Sequence, residues 1–283
     1  MNSLKLTAFM TALIVLFMTI GKMLGGHNGM MIALFISLGM NFFSYWFSDK
    51  IVLMAYGAQP LPRDTAPQIH EIIEKLADRA RIPVPKVYIV NSGVPNAFAT
   101  GRNPQNAAVA VTTGLLNILN LHEIEGVLAH ELAHVINRDT LISTVVSSFV
   151  GAIYYMADML RWAMIFGGSS RDDENGDSGS SALGYLFVII VAPLIAMILQ
   201  MAISRSREYK ADYYGAKLAG DNAGLMSALI KLEQGNRLNH NFSTPATSSM
   251  CIVNPFSGRA LFSLFSTHPA TEDRLKELQK IQF

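Results

Sequence analysis

Four strongly apolar stretches of this chain carry no charged residue, and the segments between them alternate apolar and polar positions as globular elements do. Residues 6–21 and 23–48 form uncharged runs of 16 and 26 residues separated by Lys22, and 140–157 and 178–204 form runs of 18 and 27. A helix needs roughly 20 apolar residues to cross the hydrocarbon core of a bilayer. The second and fourth runs are ample, and a snorkelling lysine completes the first. No small-x-small cleavage site follows the first run and another apolar run comes at once. That favours a retained helical hairpin over a removable signal peptide. Pro193, in the last run, is tolerated in a spanning helix. The 140–157 run is short and rich in Ser and Thr, so a hairpin buried in a soluble domain competes there with a second membrane hairpin.

The remaining segments predict an α+β arrangement. Thr65-Ala66-Pro67-Gln68 reads as a helix start, with Thr65 as N-cap and Gln68 closing a capping box. Ile69, Ile72, Ile73, Leu76 and Ala80 then mark a core-facing stripe. Residues 86–90, 96–101 and 108–114 read as strands, the last two joined by the polar turn 102–106. The expected fold is a predominantly helical α+β membrane protein. It has four transmembrane helices and a globular part built from a small antiparallel sheet and the helix that follows it. Its parts are an N-terminal transmembrane hairpin (1–48), a first globular segment (49–139), a second hairpin (140–203) with an acidic loop (168–181), and a second globular segment (204–283).

Composition sharpens this. Charged residues make up 15% of the chain, against about 25% in soluble domains. A net charge of +1 lacks the electrostatic footprint of nucleic-acid binding. The single cysteine, Cys251, excludes an internal disulfide and a cysteine-based zinc site. Of the 22 Lys and Arg residues, 18 lie in 49–139 and 204–283. The positive-inside rule then places both segments and both termini in the cytoplasm.

Candidate chemistry centres on residues 127–139, VLAHELAHVINRD. His130 and His134 stand four apart, so on a helix they share a face and can chelate one ion. Glu131, offset by about 100°, can act as general base on a water at the open coordination position. Apolar residues flank this trio on nearly every side, and buried imidazole and carboxylate groups need partners that a metal supplies. The extended metzincin pattern is absent, because Asn137 and Thr140 stand where Gly and His belong. His122 lies too far along the axis to join. The third ligand is assigned to Glu208 in SRSREYKAD, with Asp212 orienting a ligand imidazole. The competing reading pairs both acids with Arg205, Arg207 or Lys210 on a wet surface. Residues Asn96, Ala97, Phe98 and Ala99 are the candidate edge strand for an extended peptide, or else an internal hairpin strand. The polar 238–257 segment is a loop beside the cleft or a passive insertion.

VLAHELAHVINRD, SREYKAD and THPATEDRLKEL together resemble the HtpX family of membrane-bound zinc metalloproteases, distantly related to CAAX-type endopeptidases. The likeness runs over nearly the whole chain and implies that 49–139 and 204–283 form a zincin-like cytoplasmic catalytic domain, with the small antiparallel sheet and an active-site helix, and that the 168–181 loop is external. It implies one Zn2+ per chain held by His130, His134 and Glu208, with Glu131 as base. It further implies polypeptide substrates, mainly damaged membrane proteins, at the cytoplasmic face of a bacterial inner membrane. The family's H-P-x-x-x-x-R ending falls on His268, Pro269 and Arg274. Arg274 bridges back to an acid such as Asp212, and His268 either donates to the transition-state oxyanion or caps a helix. Asp139 joins Asp212 and Arg274 around the ligands. Two alternatives stay open: a non-catalytic scaffold or chaperone with a structural metal, and a prenyl-protein processing peptidase.

Overall fold

The structure, a computed structural model, describes residues 2–142, 145, 206–238 and 269–283. The apolar runs beyond Ile142, the 168–181 loop, the 238–257 segment beyond Leu238, and His268 lie outside the described residues. Those described fall into two compact units, one containing residues 2–44 and the other 45–142, 206–238 and 269–283.

In the first unit, α1 (Asn2–Trp46) is two helices joined by a non-helical Gly25-Gly26 turn. Gly26 takes a φ of 58°, a conformation open to glycine at little cost. The halves run antiparallel and in close contact: a Cβ on Gly29 would lie 2.2 Å from the Gly21 carbonyl oxygen. Asn41 Nδ2 donates to the Met10 carbonyl. Leu6–Met23 and Gly25–Trp46 are long and apolar enough to cross a membrane, at 18 and 22 residues with mean hydropathies of 1.8 and 1.4. Ile32, Phe35 and Phe43 are exposed on this hairpin, as lipid-facing side chains are in the absence of lipid.

The second unit begins with α2 (Ser48–Ala55), β1 (Gln59–Pro60) and α3 (Pro67–Ala80). Thr65 does not cap α3. Its hydroxyl donates to the Pro62 carbonyl at 2.8 Å, and Ala66 takes the N-cap position without a side-chain hydrogen bond. Pro67 accounts for the difference. Proline suits the first helical position, but it drives the preceding residue out of helical geometry. A helix capped by Thr65 needs Ala66 helical, which Pro67 disfavours.

Strands β2 (Lys86–Val90), β3 (Ala97–Thr100) and β4 (Ala108–Thr112) join β1 in the order β1-β2-β4-β3. The sheet is therefore mixed, not antiparallel as expected. β3 and β4 form the expected antiparallel pair, but β2 runs parallel to β4. Burial explains the insertion of β4 between its neighbours. All five of its residues are buried, so it takes the central position, where both faces are covered. Among the described residues, β3 is left at the edge.

After β4 come α4 (Thr113–Ile118) and α5 (Leu121–Asn137). Asn120 and Glu123 close a capping box at the start of α5. Glu123 also accepts from Ser227 at 2.6 Å and Lys231 at 2.8 Å, which ties α5 to the Ala223–Leu238 helix. Gly126 and Gly224 allow these helices to touch: a Cβ on Gly126 would lie 2.4 Å from the Leu225 nitrogen. Ile124, Val127, Leu128, Ala129 and Leu132 are buried in one core with Ile73, Leu76, Val109, Leu225 and Leu229. The helix is thus enclosed on nearly every side, as its apolar flanks predict. Its last turn ends at Arg138, in the left-handed region at φ 58°.

Candidate metal centre

Helix α5 buries His130 and Glu131, so both polar side chains must find partners inside the protein. The four-residue spacing brings the His130 and His134 rings to 4.8 Å, at right angles. The helix spanning residues 206–219 supplies the rest. Glu208, Asp212 and Gly215 share one face of it. Gly215 determines how near they come: a Cβ there would sit 2.8 Å from His130 Cα and 2.9 Å from its nitrogen. Backbone meets backbone at that point, and any side chain forces the helices apart. Gly215→Ala is expected to weaken metal affinity by roughly 10–100-fold, the range found when groups that position ligands are disturbed. A chelator competition titration checks this.

Glu208 faces both imidazoles. Its carboxylate lies 3.6 Å from His130 Nε2 and 3.4 Å from His134 Nε2, and all three ligand-type atoms fall within 4.8 Å of one another. Two donors each ~2.0–2.1 Å from a tetrahedral ion stand roughly 3.3 Å apart, close to these spacings. The far side of each ring meets a second acid. Asp212 Oδ1 is 2.9 Å from His130 Nδ1, and Asp139 Oδ2 is 3.6 Å from His134 Nδ1. A carboxylate accepting from Nδ1–H leaves the Nε2 lone pair available to a cation.

Arg274, in the C-terminal helix Thr271–Gln279, enters the same cluster and is fully buried. Its Nε donates to Asp212 Oδ2 at 2.9 Å and its Nη2 to Oδ1 at 2.6 Å. Nη2 also lies 3.4 Å from both ring nitrogens of His130, which puts the guanidinium against the ring face. Burial alone would raise the Asp212 pKa; Arg274 and His130 outweigh it and hold the carboxyl below its usual range. Burial would likewise lower that of His130, but Asp212 and Glu208 push it up to about 9. Glu131, Asp139, Glu208 and Asp212 thus face two guanidiniums, Arg207 and Arg274. Among the described residues the acids of this cluster outnumber its guanidiniums, which favours a cation there. By donor type, spacing and charge, the residues fit a metal ion.

Glu131 sits at the junction of helix and sheet, where its Oε2 accepts the Ala99 N–H at 3.0 Å. That bond identifies which groups line the open edge of β3. Thr112 N–H donates to the Asn96 carbonyl, so 96, 98 and 100 pair with β4 while the backbone groups of Ala97 and Ala99 point away from it. The Thr112 hydroxyl accepts from Asn96 N–H and from Leu115 N–H, which fixes where the strand begins. Asn96, Ala97 and Phe98 are buried.

The structure therefore brings together His130, Glu131, His134, Glu208, Asp212, Asp139 and Arg274, and it runs the 97–100 edge alongside them. His268 lies outside the described residues. His122 pairs with Asp221 at 3.0 Å, away from the cluster. Sequence reasoning missed two contributors. Gly215 stands three residues after Asp212, on the acidic face, and that position was its only signal. The Ala99 bond to Glu131 left none, because it joins backbone to side chain across 32 residues.

A buried excess of negative charge, a histidine pair completed from a later helix, and a carboxylate bonded to an open sheet edge belong together in one class of protein, the metalloproteases. The chain is a member of peptidase family M48, whose model matches residues 63–282. A protease HtpX homolog of Methylibium petroleiphilum is 51% identical over 280 residues, 98% of this chain and 96% of the relative. A protease HtpX homolog of Pyrococcus abyssi is 53% identical over 277 residues, 98% and 93% of the two chains. Among solved structures, S. mikatae Ste24p superposes with a TM-score of 0.51 at 24% identity, covering 95% of this chain and 62% of that one. At that identity the likeness is one of fold. With the two apolar helices of α1, the chain is a membrane-associated metalloprotease.

Proposed function

We propose that the chain is a zinc endopeptidase that binds one Zn2+ through His130, His134 and Glu208 and cleaves polypeptides, chiefly damaged membrane proteins. The convergence of three ligand-type atoms within 4.8 Å, from helices some 70 residues apart in sequence, carries this reading. When bound, the ion supplies Lewis acidity to the scissile carbonyl and to the attacking water. The protein does the rest. Glu131 accepts the proton of that water and delivers it to the leaving amine, while the Ala99 N–H keeps its carboxylate pointed at the cleft. Asp212 and Asp139 hold the imidazoles in the tautomer that presents Nε2, and Arg274 holds Asp212. An extended substrate lies along β3, bonding to the outward backbone groups of Ala97 and to the Ala99 carbonyl.

The chain's charge pattern supports a catalytic segment on the cytoplasmic side of the membrane, with four spans and both termini inside, and the family resemblance makes that membrane a bacterial inner membrane. The resemblance to the HtpX family supports a part in protein quality control under stress. Glu208→Ala is expected to drop bound zinc from about one ion per chain to background, because two histidines alone leave the tetrahedral site short of a ligand. Metal analysis of purified protein tests this, and stoichiometric zinc in the variant removes Glu208 from the ligand set. Cleavage of casein and of a model membrane protein, with and without chelator, tests the activity itself.

A further inference from the structure

Helix α2 begins two residues after the second candidate span ends, and its two faces differ. Ser48, Val52 and Leu53 are buried. On the other side Phe47, Lys50, Ile51 and Met54 follow the i, i+3, i+4, i+7 rule, which places them in one stripe. Phe47 is 38% exposed, Met54 76%, and Trp46, just before them, 46%. Such large apolar side chains are seldom left in water together. Two cations lie on this face, Lys50 within the stripe and Arg102 beside it. Lys50 lies over the Phe47 ring at 5.6 Å, and Arg102 over the Trp46 ring at 4.5 Å. Trp beside Lys and Arg, at the end of an apolar helix, is the composition of a membrane–water boundary. Asp49, half-buried in the first turn, lies outside the stripe.

The buried face of α2 is bolted to the sheet edge that borders Glu131. Val52 and Leu53 pack in one cluster with Phe98, Val90 and Ala110, and the Tyr56 and Phe98 rings are 4.6 Å apart. Thr100, at the end of β3, donates to the Ser48 carbonyl at 3.2 Å.

We infer that α2 is an interfacial helix whose Phe47–Ile51–Met54 stripe lies in the bilayer surface, and that it holds the β3 edge at the membrane boundary. The occupant of the stripe is lipid, since the stripe follows a candidate span directly in sequence and carries cations suited to phosphate headgroups. A peptide taken up on β3 is then a segment emerging from the same membrane. This inference rests on the membrane and peptidase readings above.

Labelling separates the two levels. In the full chain carrying Cys251→Ser, reconstituted into vesicles of neutral and anionic phospholipid, a fluorophore is placed at Met54→Cys, Phe35→Cys or Lys86→Cys. Lipid-borne nitroxides should quench the labels at 35 and 54, and iodide in the water should quench the one at 86. A label at 54 as open to iodide as that at 86, with 35 quenched by lipid, overturns the inference alone. A label at 54 reached by neither quencher also overturns it, because protein, such as a second copy of the chain, then covers the stripe. A label at 35 without lipid quenching overturns the membrane reading and this inference with it. The double variant Phe47→Ser/Met54→Asp should slow cleavage of a membrane-embedded substrate roughly tenfold, about 1.4 kcal/mol, and leave casein cleavage unchanged. Any result without that selectivity overturns the link between α2 and substrate uptake.

Discussion

Glu131→Gln should reduce kcat by about 10²–10⁴-fold while leaving bound metal and thermal stability close to those of the parent. Glutamine matches glutamate in shape, and its carbonyl oxygen can still accept the Ala99 N–H. The neighbouring backbone therefore has no reason to move. The variant loses only the ability to take a proton from water and return it to the leaving amine. Since the binding edge is intact, KM should change little. Steady-state cleavage of a membrane-protein substrate, with metal analysis on the same preparation, checks both halves. Cleavage at the parent rate removes Glu131 from the mechanism. A fall in kcat with equal loss of metal shows that the carboxylate acts in holding the site together.

The second large effect is expected at Arg274. Arg274→Leu leaves Asp212, itself fully buried, without the guanidinium that neutralises it. Breaking a buried ion pair from one side costs roughly 3–5 kcal/mol, or about 6–20 °C in Tm for a domain of this size. Removing both partners is milder, since the buried carboxylate then leaves together with the guanidinium that neutralised it. The pair of variants separates stability from positioning. Arg274→Leu/Asp212→Leu should recover most of the lost Tm. It should not recover metal affinity, because His130 Nδ1 has lost the acceptor 2.9 Å away that orients its ring. Thermal unfolding with and without saturating zinc reads both quantities. A double variant as unstable as the single one contradicts the pairing.

Much of this candidate site could be read from the chain because its candidate ligands come from helices, where spacing translates directly into geometry. The i, i+4 histidine pair and the i, i+4 acidic pair each put two groups on one face before any packing is known. The apolar residues around His130 predict a helix buried nearly all round, and α5 is one. What failed was local structure decided by competition. Thr65 looks like an N-cap until Pro67 is weighed against the residue before it. Three of the four strands were recognised, without β1, but their order was not, since β4 takes the centre because of what covers its two faces. Sequence periodicity reports one face at a time.

The sequence alone determined the chemistry on offer: a histidine pair, a base between them, a carboxylate pair on a later helix and an arginine near the end. Periodicity sufficed for that, because each pair lies within one element. Only the tertiary structure decided that these pairs meet. The crossing of α5 with the 206–219 helix depends on the missing Cβ of Gly215, and the burial of Arg274 depends on the C-terminal helix entering the cluster. Tertiary structure also left β3 at the edge and bonded its Ala99 N–H to Glu131. Contacts between distant segments follow from how well whole surfaces pack, and no short stretch of sequence contains that information.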